Sequence, residues 1–227
     1  MQVPDRKTPV TRCESLSRYA ESALLQYIES FDPTAEEQAQ LRANIDQLFT
    51  ARTGLATKQA DYRTAVLDCI TPRVAVAIVD LRADGVTRSA KRAADEAGKD
   101  VAAMVFPEGV TPIVKLFGQS EVDSLIALEG RIAAAAGRWS EAAAMQTRII
   151  EARTRYEAAL ANRTTALNLA ASKRALRNSA KEDFLDTYAK VASAIKGLFP
   201  RDKTLQDVFF DEVRSAGSEG DGEDEAG

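Results

Sequence analysis

Five basic residues, Arg163, Lys173, Arg174, Arg177 and Lys181, lie between Ala158 and Lys181 with no acid among them. Cations gathered without counter-charges suit phosphate oxygens, nucleic acid or an acidic protein surface. No aromatic residue is interleaved across this band, so bases would have no stacking platform and contact would be confined to phosphate. The structural alternative is that the long stems flank a helical seam and carry their charged ends into water. Arg163, Arg174, Arg177 and Lys181 also fall on the apolar register described below, as does Arg153. Charge on such a register implies either that the covering helix supplies acids or that the seam is uncovered there. Asp61 and Asp68 would be available in an antiparallel pairing.

Other chemistry is narrowed by what the chain lacks. It contains no histidine, which removes Ser-His-Asp and Cys-His triads, histidine-ligated haem, the Glu-x-x-His pair of di-iron bundles and nearly every catalytic zinc arrangement. Cys13 and Cys69 are the only cysteines and lack CxxC spacing, so two reduced thiols are expected. No carboxylates fall at metal-cage spacing, and no Walker motif, dinucleotide fingerprint or nucleophile elbow is present. The expectation is a protein that is not an enzyme, with no catalytic residues, metal or cofactor.

The elements that would position the basic band are helical. Alanine contributes 40 of the 227 residues, and much of the remainder is Glu, Arg, Leu and Gln, a composition that favours helix over strand. From Ser120 to Phe199 the larger side chains keep a seven-residue register. It includes Leu125, Leu128, Ile132, Ala135, Trp139, Ala142, Ile149, Tyr156, Leu160, Leu167, Phe184, Tyr188, Val191, Ile195 and Leu198. That is coiled-coil spacing. The register passes through Gly137 without a slip, so one continuous helix is expected, on the order of 115 Å long, although Gly137 is also the best place for a fold-back.

The rest of the chain supplies companions for it. Residues 1–10 read as a flexible arm. A first helix follows, with Thr11 and Glu14 at capping-box spacing and a stripe of Leu16, Tyr19, Ala23, Tyr27 and Ile28. Thr34 with Glu37 caps a second helix, whose buried side is Leu41, Ile45, Leu48, Leu55, Tyr62, Val66 and Cys69. Thr71-Pro72 either starts a new helix or kinks a longer one. Beyond it Val74, Ile78 and Leu81 are expected to face the core, before the stripe thins to alanines. Val105–Ser120, with two prolines, two glycines and a β-branched run, reads as an extended connector containing a short strand. Ser120 with Asp123 restarts the helix, and Thr204 with Asp207 caps a short final one carrying Leu205, Val208, Phe209 and Val213. The last ten residues hold five acids and no base, and 217–227 is expected to be a disordered acidic tail.

The fold expected is all-α: an elongated antiparallel helical bundle, or coiled-coil hairpin, with a flanking N-terminal helix and a short C-terminal helix. It forms a single domain over 11–216. With a net charge of only −4, overall charge does not direct the chain to nucleic acid. There is no secretory leader pattern and no apolar run long enough to span a membrane, so a cytoplasmic protein with no membrane partner is expected. The functional expectation is a non-enzymatic scaffold or protein-interaction protein, with self-association through exposed apolar stripe as one form. The alternative is a nucleic-acid or polyanion binder using the basic band.

Overall fold

The computed structural model describes residues 3–210. The expected acidic tail and Val213 lie outside the described residues. Among those described the fold is all-α, with no strand: α1 (Val10–Phe31), α2 (Ala35–Asp68), α3 (Ile70–Ala97), α4 (Lys99–Val105), α5 (Thr111–Val114), α6 (Gln119–Ala134), α7 (Ala142–Leu198) and α8 (Lys203–Phe209). The chain divides into two compact units. One comprises residues up to 63 together with those from 173 onward, and the other comprises 64–172.

A seven-residue series runs through α2 and α3. Leu41, Leu48, Leu55, Val76, Ala83 and Ala90 are all buried, and Tyr62 and Cys69, on the same series, are half-buried. Seven residues fall about 20° short of two full helical turns, so the buried face rotates steadily along the helices. Pro72 cannot donate to the Asp68 carbonyl. Correspondingly α2 ends at Asp68 and α3 begins at Ile70, while Cys69 keeps helical angles (φ −71°, ψ −16°). The Thr71-Pro72 step is therefore a kink rather than a capped start.

In the first unit, Cys13, Leu16, Ala20, Leu24 and Ile28 of α1 meet Leu41, Leu48 and Leu55 of α2, and Phe184, Tyr188, Val191 and Ile195 of α7. Asp61 pairs with Lys173, whereas Asp46, Gln47 and Thr50 share a shallow groove with Asp183, Thr187 and Lys190. Numbers rise on α2 as they fall on α7, so these segments are antiparallel. Thr34 and Glu37 form the expected capping box, with Thr34 N–H to Glu37 at 3.0 Å and Glu37 N–H to Thr34 Oγ1 at 3.3 Å. Thr11 caps nothing, because α1 already starts at Val10. Where a flexible arm is expected, Asp5 accepts from the N–H of Thr8 at 3.0 Å and Lys7 at 2.9 Å to form a turn. Tyr19 and Val208 are exposed, against expectation, whereas Phe209 and Phe210 are buried. Phe209 lies 5.4 Å from Tyr27, and Phe210 lies 5.7 Å from Tyr188, between ring centroids. The cap of α8 is Asp202, which accepts from Leu205 N–H at 2.8 Å, rather than Thr204.

In the second unit the expected continuous helix is broken. The backbone passes through successive i→i+3 bonds between Ala135 and Ala142, and the chain folds back. Arg153 Nε lies 2.6 Å from Glu129 Oε1, although a straight helix would hold those residues roughly 36 Å apart. The heptad register survives because Ala135, Trp139 and Ala142 are all buried at the turn, so periodicity alone could not reveal it. Gly137 has open space at its Cβ position and no positive φ. Its contribution is a helix propensity about 1 kcal/mol below that of alanine, not steric necessity. The expected strand is also absent. Between α4 and α6, residues 106–118 form turns and the single-turn α5, which buries Ile113. Gly98, at φ 134°, separates α3 from α4 in a conformation that only glycine adopts readily. Ser120 does not cap α6, which begins one residue earlier after Gly118.

Candidate functional site

The basic band is largely engaged within its own fold. In the first unit Lys173 Nζ lies 3.1 Å from Asp61, one of the acids anticipated for that role. The Arg177 guanidinium stands 4.7 Å from the centroid of the Tyr62 ring, and Lys181 donates to the Arg6 carbonyl at 2.8 Å. Arg174, in the same unit, is exposed, and Arg163, in the other, is half-buried. Neither has an ion-pair partner among the described residues. Arg153 is held by Glu129 and Glu157, which raises its pKa through hydrogen bonding to both carboxylates. Acids on covering helices thus answer part of the charge on the register. Part of the seam is uncovered, as the exposure of Leu167 shows.

A second constellation was invisible in the sequence. The Tyr156 hydroxyl of α7 donates to Asp80 of α3 at 2.8 Å and accepts from the Gly118 N–H at 2.9 Å. Glu121 of α6 adjoins this cluster and is 1 % exposed. Burial, reinforced by the hydrogen bond and charge of Asp80, pushes the Glu121 carboxyl up to about 8, and Asp84 adds in the same direction. Tyr156 is likewise raised, first by burial. A neutral carboxylic acid beside a carboxylate and a phenol is the composition of an acid-base site. Here Glu121 and Tyr156 are buried, and Asp80 is half-buried. The arrangement joins α3, the segment before α6, and α7. Among the described residues no cluster of acids and thiols could hold a metal ion.

The third feature is a surface. Leu67, Ile70, Val74, Ile78 and Leu81 are 63, 56, 54, 61 and 66 % exposed. Spaced three and four residues apart, they form one helical stripe. The buried face of α3 is instead made by Val76, Ala83, Thr87, Ala90 and Ala94, roughly 180° away around the axis. Val74, Ile78 and Leu81 therefore do not face the core, as their size suggested. The core of this unit approaches α3 so closely that alanine fills it, and the large aliphatic side chains are left outside.

The molecule is thus a helical bundle protein with an exposed aliphatic face on α3, and none of its described helices is long and apolar enough to cross a membrane. Comparison with protein-family models, curated proteins and solved structures finds no match to this chain.

Proposed function

We propose that this chain is a non-enzymatic helical scaffold that acts by binding protein, and that its binding surface is the outer face of α3. One observation carries the reading. α3 places alanines against its own core and four large aliphatic side chains in water, with Leu67 of α2 continuing their stripe. Folding gains little from leucine and isoleucine that stay exposed, whereas a contiguous apolar patch marks an interaction site. A cytoplasmic setting belongs to the same reading and is supported by two free cysteines, Cys13 and Cys69.

The test is a photo-crosslinking amino acid placed at position 78 in the expressed chain, with position 151, exposed on α7, as control. Protein adducts at 78 and none at 151 are expected. Equal labelling, or none at 78, overturns the reading.

Polyanion binding has one observation in its favour, the lack of ion-pair partners at Arg163 and Arg174 among the described residues. It is the weaker reading because Lys173, Arg177 and Lys181 already serve contacts within the fold. A nucleic-acid complex that forms at low salt and is lost in Arg163→Ala/Arg174→Ala would favour it over the α3 reading.

A further inference from the structure

Read from either end, the exposed stripe of α3 and the last turn of α2 is the same. Its residues are Leu67, Ile70, Val74, Ile78 and Leu81, at intervals of three, four, four and three. Types and spacing are both palindromic about Val74. A surface that must meet an unrelated partner has no reason to be symmetric in this way. A surface that meets its own copy across a two-fold axis must be self-complementary, because each residue contacts the image of another.

On the reading that this face binds protein, we propose that its occupant is a second copy of the chain. The two stripes lie antiparallel about a two-fold axis at Val74. Leu67 then packs against Leu81 of the second copy, Ile70 against Ile78, and Val74 against its own image. Cys69 keeps helical angles, so the angular register of Leu67 carries across the kink into α3.

The five residues leave on the order of 500 Å² open per copy, so pairing the stripes buries at most about 1,000 Å², the least that a specific interface needs. The charges beside the stripe also complement one another. Arg82 and Asp68 lie on the same flank, both exposed and without an ion-pair partner in their own chain among the described residues. Antiparallel pairing brings each Arg82 alongside Asp68 of the second copy, twice over. Arg73, on the other flank, comes near its own image. It is exposed, and its long stem lets the charge turn into water.

The test uses the purified full chain. Sedimentation over a concentration series should show the mass rising toward that of a dimer, and Ile78→Glu should raise the dissociation constant at least about 100-fold with an unchanged helical circular dichroism spectrum. In a Cys69→Ala background, Val74→Cys should form a disulfide-linked dimer on mild oxidation. Leu67→Cys and Leu81→Cys should cross-link when mixed and not when alone. Dimerisation that is lost in Ile78→Glu without the Val74 cross-link overturns the antiparallel arrangement. A wild-type chain that stays monomeric while position 78 labels a different protein overturns self-pairing and leaves the broader reading of the face intact. A monomer with no adduct at position 78 overturns both.

Discussion

The Tyr156 hydroxyl donates to Asp80 across 2.8 Å, joining residues 76 positions apart in sequence. The same oxygen accepts from the Gly118 N–H, at a glycine whose φ of 68° lies in the left-handed region. One phenol therefore ties three segments of its unit together. Tyr156→Phe keeps the buried ring but strands a donor and an acceptor with little access to water, which costs about 2 kcal/mol. Chemical denaturation should show that loss with an unchanged denaturant slope. A loss below about 0.5 kcal/mol would mean that water replaces the hydroxyl.

Glu121 makes the fold sensitive to pH. In the unfolded chain its carboxyl ionises near 4.5, whereas in the folded chain burial and Asp80 hold the proton until about 8. Between those values the folded state binds a proton that the unfolded state has released, so unfolding free energy falls as pH rises. The stabilisation is full below 4.5 and gone above about 8. Urea midpoints should therefore decline across this window, and Glu121→Gln, which cannot ionise, should flatten the decline. A Gln variant with the wild-type pH profile would assign the dependence to another group.

Arg52 binds Glu21 through two 2.9 Å contacts, and Ser17 adds a hydrogen bond to Glu21 at 2.8 Å. Both charged side chains are about nine-tenths covered. Removing the arginine leaves a buried, unpaired carboxylate, so Arg52→Ala should cost on the order of 3 kcal/mol, and Arg52→Ala/Glu21→Ala together less than the single change. By contrast Lys173–Asp61, each about one-third exposed, should yield no more than about 0.5 kcal/mol in the same thermal or chemical measurement.

These contacts show how far the sequence carries. The all-helical fold, the Thr34–Glu37 cap and the Asp61–Lys173 pair were legible because each follows from composition, a local spacing or the antiparallel register. The fold-back at 135–141 was only half legible: Gly137 marked the place, but Ala135, Trp139 and Ala142 keep heptad spacing on both sides of it and so favoured a continuous helix. Tyr156, Asp80 and Glu121 could not be grouped, because nothing local links residues that meet only after α3, α6 and α7 have packed. The basic band was visible as a cluster, but Tyr62 and Arg6, which engage two of its members, lie far away in sequence. The stripe of α3 misled for a different reason. An amphipathic reading assigns the larger apolar residues to the core, and this helix does the opposite.

That inversion makes a direct prediction about which side of α3 folding depends on. Ile78 is mostly exposed, so Ile78→Ser removes little internal contact and should change stability by less than about 0.5 kcal/mol, provided that it is measured at concentrations too low for association. Ala83 is fully buried. Ala83→Leu adds three carbons to a packed interior and should cost about 1–3 kcal/mol through displaced neighbours. A helix that buried its large residues would give the reverse order. Thermal unfolding of the two variants side by side decides between them: if Ile78→Ser is the more damaging, α3 is turned the other way in solution, and the surface proposed for binding is part of the core.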